Sequence, residues 1–266
     1  MTLPRSEDYN PDWWREYYPA IFPLWEPWGK LMEEGAEREA GFMVQHLDLE
    51  PGLPFLDIGC GEGRHSRCLI RRGFQGCALD FFEDRLISGL RRSNAQNLNG
   101  PAFIQGDMRL LPFRPHSFGL ILLMDTTFGI FDDAINIRLL RGIHQLLAEK
   151  GILFMQILNP RFWRKDKLVK DMGRSKRWPG KLMRRYHFDQ SSNLLYDRLW
   201  LEDERGKVLN QFPDQILRLY EGEEMKALCL QSNFEKVKIC SAVDWGPPDS
   251  PDEFHQDSPE YYVIAK

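Results

Sequence analysis

No apolar run in this 266-residue chain approaches the roughly 18 residues that mark a membrane span, and the chain opens without the basic-then-apolar order of a signal peptide. The expectation is a cytoplasmic protein with no membrane partner. Cysteine is scarce: Cys60, Cys68, Cys77, Cys229 and Cys240 form no C-x-x-C pair and are odd in number, which argues against a disulfide framework or a cysteine zinc site. The histidines are scattered without ligand-like spacing, so no metal is expected. A net charge of −4 argues against a protein devoted to coating nucleic acid. With 42% hydrophobic residues, the length suits one large α/β domain with additions.

The informative stretch is Leu56-Asp57-Ile58-Gly59-Cys60-Gly61-Glu62-Gly63. An apolar run feeds into an acid and then into a turn with glycine at alternate positions. Glycine removes a Cβ where backbone must approach a ligand, and the helix that follows aims free N–H groups at the same spot. A dinucleotide fingerprint needs glycine at the first, third and sixth places, whereas here the sixth place is Arg64. The turn is therefore nucleotide-binding but not of the dinucleotide kind.

The downstream chain agrees with that reading. Helix-like Arg64 to Arg72 ends at Gly73, and a short strand, Gly76 to Leu79, delivers Asp80 about 20 residues beyond the turn, where a carboxylate accepts both hydroxyl protons of a ribose. A third strand-like run, Ala102 to Gln105, ends in Gly106-Asp107-Met108. A fourth, Phe118 to Met124, ends in Asp125, and a fifth, Ile152 to Leu158, ends in Asn159-Pro160. Each ends in a polar residue, on the rim where open α/β sheets bind ligands. Asp132 to Glu149 has helical apolar spacing with Gly151 as its stop.

Composition divides the chain into four parts. Residues 1–45 are rich in aromatics (Tyr9, Trp13, Trp14, Tyr17, Tyr18, Phe22, Trp25 and Trp28) and broken by Pro11, Pro19, Pro23 and Pro27. They read as short helical turns, either packed as a flap or closing the site as a lid. Residues 46–160 form the nucleotide-binding core. Residues 161–220 begin with eleven lysines and arginines between Arg161 and Arg185 against Asp166 and Asp171, with Trp163 and Trp178 among them. Two readings stand: a surface for phosphates and bases, or the solvated face of a helix balanced by acids elsewhere in this acidic chain. Leu195 to Leu201 and Gln215 to Tyr220 alternate as an antiparallel strand pair about a turn at Asp203 to Lys207. Residues 221–266 supply a helix, Glu221 to Gln231, and two final strands, Lys236 to Ala242 and Tyr261 to Ala265.

On the Asp57-to-Ser66 motif, the Gly106-Asp107-Met108 turn, the loop Thr126-Thr127-Phe128-Gly129-Ile130-Phe131 and the segment Arg185-Tyr186-His187-Phe188-Asp189, the chain resembles the class I S-adenosylmethionine (SAM)-dependent methyltransferases. The resemblance implies a Rossmann-like α/β fold: a mostly parallel sheet with an antiparallel last strand, an N-terminal lid and a small antiparallel insertion over the substrate. It implies SAM as cofactor and S-adenosylhomocysteine as product. Asp57 would orient the glycine turn, Gly59, Gly61, Gly63 and Arg64 would meet the amino acid end, Asp80 and Phe81 the ribose, and Asp107 and Met108 the adenine. Phe81-Phe82 and Asp125 depart from the residues common in this group.

Asp125 is the best-placed catalytic candidate, able to hold an acceptor amine or the cofactor's ammonium, or simply to cap the next turn. Tyr17, Tyr18, Tyr186 and His187 follow, from the expected position of lid and insertion. The favoured function is methyl transfer to a small-molecule acceptor, nitrogen or oxygen ahead of carbon. RNA or another polyanion is the alternative acceptor, through residues 161–185, and a non-catalytic SAM-binding interaction protein is the third class.

Overall fold

Apolar strand runs alternating with helices build a three-layer α/β core, seen in a computed structural model that describes residues 10–24, 29–49, 52, 54–164, 169–174, 179–242, 247–250, 255 and 257–266. Tyr9, Trp25, Pro27 and Trp28 of the aromatic segment, and Lys165, Asp166, Lys167, Lys176, Arg177 and Trp178 of the basic run, lie outside the described residues.

The core sheet has seven strands in the order β11-β12-β5-β4-β1-β2-β3. Its members are β1 (Phe55–Ile58), β2 (Gly76–Asp80), β3 (Ala102–Gln105), β4 (Phe118–Leu123), β5 (Leu147–Leu158), β11 (Val237–Ser241) and β12 (Glu260–Ala265). β1 to β5 pair in parallel, and the chain's last strand, β12, runs antiparallel between β5 and β11, as expected. All six residues of β4 are buried, the mark of a strand covered on both faces. One face is covered by α5 (Asp133–Leu146) and α7 (Gly222–Gln231), through Leu139, Leu140, Ile143, Met225 and Cys229. The other is covered by α2 (Gly29–His46) and α3 (Arg64–Arg71), through Ala36, Ala40, Met43, Cys68 and Leu69. α4 (Glu83–Ala95) joins β2 to β3, and the four-residue α6 (Pro160–Trp163) leads out of the core.

A second, antiparallel sheet contains β6 (Val169–Arg174), β7 (Lys181–Asp189), β8 (Leu194–Glu202), β9 (Val208–Gln211) and β10 (Gln215–Arg218). Its apolar face packs on α1 (Trp14–Ile21), with Trp13, Trp14, Tyr17, Ile21 and Leu24 buried among Leu182, Tyr186, Leu199 and Leu217. The aromatic segment is thus a docked cover in this structure. Pro19 is accommodated inside α1, and the helix gives way to a 3-10 turn at Phe22–Leu24.

Two expectations are corrected. The helix expected over Asp132 to Glu149 is capped by the Asp132 side chain, which accepts from the Ile135 amide at 2.8 Å, but stops at Leu146. Leu147 to Glu149 and Gly151 belong to β5, because buried Leu147 gains a parallel partner in Phe118 and Gly151 runs so close to that strand that an added Cβ would lie 2.8 Å from the Phe118 carbonyl oxygen. The basic run is not a helix face: its described part forms α6, β6 and β7. Part of its charge is matched: Arg184 by Asp197 and Lys181 by Asp171 across strands, and Arg161 and Arg164 by Glu221 at the start of α7.

The two sheets are joined where the Arg218 amide donates to the Gly129 carbonyl at 2.8 Å. Gly129 has φ +94°, and a Cβ there would overlap the Arg218 carbonyl oxygen. Gly129→Ala should therefore destabilise the protein by about 1–3 kcal/mol in urea unfolding. Gly142→Ala, in an α5 position with open space around it, is the control and should be neutral or stabilising by up to about 1 kcal/mol. Equal unfolding midpoints for the two variants would show that the joint tolerates a side chain.

Candidate functional site

The carboxyl ends of β1 to β4 form the floor of a cavity of about 690 Å³. Beyond β1 the chain turns through Gly59, Gly61 and Gly63 at φ +68°, +55° and +69°, a left-handed run open to glycine at little cost. Gly59 is packed against Thr127, whose Cγ2 would lie 2.6 Å from an added Cβ. Around Gly61 there is open space on the cavity side. Asp57 is buried and accepts from Ser66 Oγ at 2.7 Å, which ties β1 to the first turn of α3. Burial raises its carboxyl above the usual value, with His65, Ser66 and Arg64 opposing.

Asp80 closes the turn from the neighbouring strand. One of its oxygens accepts from the Gly61 amide at 2.8 Å and the other from the Phe82 amide at 2.9 Å. Burial pushes this carboxyl up, and the amide bonds hold it down. Asp107 follows β3; its carboxylate is gripped by Arg109, with Nε at 3.0 Å and Nη2 at 2.6 Å. Burial works against its charge, but Arg109 keeps its pKa below the usual value. Asp125, just past β4, has φ +54°, which Asp tolerates better than most residues, and pairs with Arg64. Its amide donates to Gln156 Oε1 at 2.9 Å.

The opposite wall is aromatic. Trp14 meets Phe81 edge-on at 4.9 Å, and Tyr18 contacts both Phe22 and Phe82. Tyr17 is buried and Tyr18 half-buried, and desolvation raises the pKa of both phenols, that of Tyr18 to about 12. The second sheet contributes Arg184, held by Asp197 at 2.9 Å and 2.6 Å, and Gln215, which donates to Thr126 Oγ1 at 3.1 Å.

The structure brings Asp57, Gly59, Gly61, Arg64, Asp80, Phe81, Asp107, Met108, Asp125 and Tyr17 to one cavity. Gly63 sits just behind the turn, against Phe103. Tyr186 and His187 are not among the cavity's lining residues: Tyr186 packs on Trp163 at 4.5 Å, and His187 faces Tyr196. Arg184 and Gln215 take the places on the second sheet that sequence reasoning gave to Tyr186 and His187. Their signal was period two, Leu182-Arg184-Tyr186 sharing one face of a strand.

Beneath the floor lies a buried polar chain with no local signature in sequence. His65 Nε2 meets Glu39 Oε2 at 2.6 Å, the Tyr262 hydroxyl donates to Glu39 Oε1 at 2.7 Å, and Gln156 Nε2 donates to Glu260 Oε1 at 2.7 Å. Burial works against a charged His65, but the Glu39 carboxylate holds its pKa above the ordinary value. Burial, aided by the charge of Glu39, pushes the Glu260 carboxyl up to about 8. An acid with a raised folded pKa loses its stabilising protonated form as pH rises, from the unfolded value of 4.5 through about 8. Glu260→Gln, an isostere of the protonated acid, should remove roughly 1–3 kcal/mol of the wild type's stability loss between pH 6 and 9. Parallel stability curves for the two proteins would place Glu260's titration elsewhere.

Residues 55–151 match the family described as Methyltransferase domain. Among curated proteins, a sterol 24-C-methyltransferase of Gibberella zeae is 23% identical over 42% of this chain and 33% of its own. A ubiquinone biosynthesis O-methyltransferase of Caulobacter vibrioides is 32% identical over 41% of this chain and 42% of its own. The chain spans between 29% and 42% of the curated relatives it matches. Among solved structures, the CcbJ methyltransferase of Streptomyces caelestis superposes with a TM-score of 0.77 at 18% identity, covering 97% of this chain and 99% of that one. A SAM-dependent methyltransferase of Clostridium acetobutylicum superposes at 0.72 and 15% identity, covering 92% and 97%. Residues 55–151 thus match a methyltransferase domain, and the chain as a whole shares the α/β fold of these solved methyltransferases.

Proposed function

We propose that this chain is a SAM-dependent methyltransferase acting on a small molecule, with nitrogen or oxygen as the methylated atom. The carrying observation is the floor itself: a left-handed glycine turn with open space at Gly61, clasped by Asp80, beside Asp107 and Asp125 at neighbouring strand ends. When bound, SAM supplies a methyl group on a sulfonium sulfur, so the reaction is an in-line displacement that leaves S-adenosylhomocysteine.

The chain's own residues bind and align. Gly59, Gly61 and Gly63 let backbone approach the amino acid end, beside the Arg64–Asp125 pair. Asp80 and Phe81 hold the ribose, and Asp107 and Met108 border the adenine. Asp125 and Tyr17 stand nearest the acceptor side as candidates to orient the nucleophile. Tyr17 and Tyr18, with their raised pKa values, act as hydrogen-bonding phenols and not as bases. The aromatic cover Trp13 to Leu24 acts as a lid that excludes water once both ligands are present.

The matched charges of the insertion favour a small acceptor over RNA, since Arg184 is spent on Asp197 inside the sheet and Arg161 and Arg164 on Glu221. Labelled SAM incubated with the protein and a lysate should place label in the metabolite fraction. Incorporation mainly into RNA, falling steeply with salt, would move the assignment to a polyanion.

Calorimetry should detect micromolar binding of SAM and S-adenosylhomocysteine. Asp80→Ala should weaken it about ten- to a hundredfold, by about 1.5–3 kcal/mol, from lost hydrogen bonds to a charged group. Unchanged affinity in a folded Asp80→Ala protein would misplace the ribose, and NAD binding as tight as SAM would overturn the cofactor.

A further inference from the structure

Arg109 stands between the floor of the cavity and its aromatic cover and touches both. It follows β3, in the turn that carries Asp107 and Met108. Toward the floor, its guanidinium holds the Asp107 carboxylate with Nε at 3.0 Å and Nη2 at 2.6 Å, and its amide donates to Asp107 Oδ1 at 2.9 Å. Toward the cover, Nη1 lies 3.9 Å from Oδ1 of Asp12, just ahead of α1. The Arg109 guanidinium carbon sits 5.6 Å from the centre of the Trp14 ring and 5.2 Å from that of Phe131.

Trp14 is 5% exposed and is pressed on the floor, meeting Phe81 at 4.9 Å and Phe131 at 6.1 Å, both edge-on. Beside it, Arg15 of the cover lies over Trp14 at 4.5 Å and over Phe81 at 4.6 Å, and pairs with Asp12 at 3.3 Å. Burial opposes the charge of Asp107, Arg109 supports it, and Arg15 adds to that support from the cover. Trp14, Phe81, Asp107, Met108 and Phe131 all line the one cavity.

A guanidinium is planar, so its edge can hold a carboxylate while its face lies against a ring. Arg109 uses both at once. What fixes Asp107 therefore also fixes the cation against Trp14, and such a link acts equally in both directions.

We propose that Arg109 is a positioning residue that couples the adenine end of the cofactor site to the cover, so that cofactor binding and docking of Trp13 to Leu24 strengthen one another. The proposal rests on the assignment of the floor to SAM. Because the cover also supplies Tyr17, Tyr18, Ile21 and Phe22 to the cavity, the coupling firms the wall of the acceptor pocket when the cofactor is in place.

The test uses the full chain, with S-adenosylhomocysteine affinity from calorimetry and cleavage of the cover by chymotrypsin after Trp13, Trp14 and Tyr17. Saturating S-adenosylhomocysteine should slow that cleavage at least about tenfold in wild type. Arg109→Gln should weaken S-adenosylhomocysteine about tenfold, and saturation should then slow cleavage no more than about threefold. Trp14→Leu attacks the same link from the cover. Combined with Arg109→Gln, it should bind at least about threefold tighter than the product of the two single losses, because the two residues act through one contact.

Arg109→Lys keeps a cation for Asp107 without the planar face. It should hold affinity within about threefold of wild type yet lose the protection, and it decides the matter if Arg109→Gln fails to fold. Wild-type protection in the folded Arg109 variants, additive losses in the double variant, or S-adenosylhomocysteine that binds wild type without slowing cleavage would each overturn the coupling alone. Failure of S-adenosylhomocysteine to bind wild type would overturn the assignment of the floor, and the coupling with it.

Discussion

The carboxylate of Asp80 holds together the two turns on which the site is built. It accepts from the Gly61 amide on one side and the Phe82 amide on the other, so the loop after β1 and the loop after β2 cannot move independently. Gly59 and Cys60 add amide bonds to the Leu79 carbonyl at 2.8 Å and 3.1 Å, which fix the same turn to the end of β2. A turn with φ positive at every other residue has few hydrogen bonds of its own. It needs this external clasp to keep one conformation, and the clasp also fixes Arg64, which carries Asp125, and Phe81, which carries Trp14. The floor takes its shape from one buried carboxylate, and the cover meets that floor at Phe81, through Trp14.

That dependence explains what was legible in sequence. The glycine turn and the strand-end acids are local patterns, because steric rules for backbone and the parallel βα repeat act over a few residues. The antiparallel pairing of β8 with β10 was legible from alternation within two nearby runs, whereas the antiparallel direction of β12 came from the family resemblance. Charge was not. The run from Arg161 to Arg185 looks like a surface in one dimension, yet Arg184 is drawn to Asp197, which lies diagonally across on β8, opposite Tyr186 and thirteen residues away. A neutralised arginine occupies a strand's inner face as an apolar residue would, and period two is hidden from any reading that counts it as solvent-facing.

The same limit applies beneath the floor. Glu39 and Glu260 stand 221 positions apart in sequence, and neither sits in a motif. Only the packing of α2 against α3 and β12 brings Glu39 to His65 and Tyr262, and only the pairing of β12 with β5 brings Glu260 to Gln156. Gln156 then supports the Asp125 amide in its left-handed conformation. The candidate Asp125 is therefore linked, through Gln156, to an acid that no local pattern singles out. Likewise, Leu147 to Glu149 read as helix because periodicity sees spacing and not the partner strand, and the pairing of Leu147 with Phe118 decides otherwise.

Floor and cover are held by different physics. The floor is main-chain geometry: amides, glycines and carboxylates at strand ends, each satisfied within the core sheet. The cover is side-chain packing of α1 on the second sheet, joined to the core through Gly129–Arg218 and through the Tyr261 hydroxyl, which donates to the Tyr220 carbonyl at 2.6 Å. Main-chain geometry admits few substitutions, because a Cβ at Gly59 would strike Thr127. Side-chain packing admits many, provided volume and charge balance are kept. The Arg184–Asp197 pair is where that balance is set. Changing both members together can keep that balance and leaves the Asp80 clasp in place, because the pair lies in the second sheet and the clasp in the core sheet.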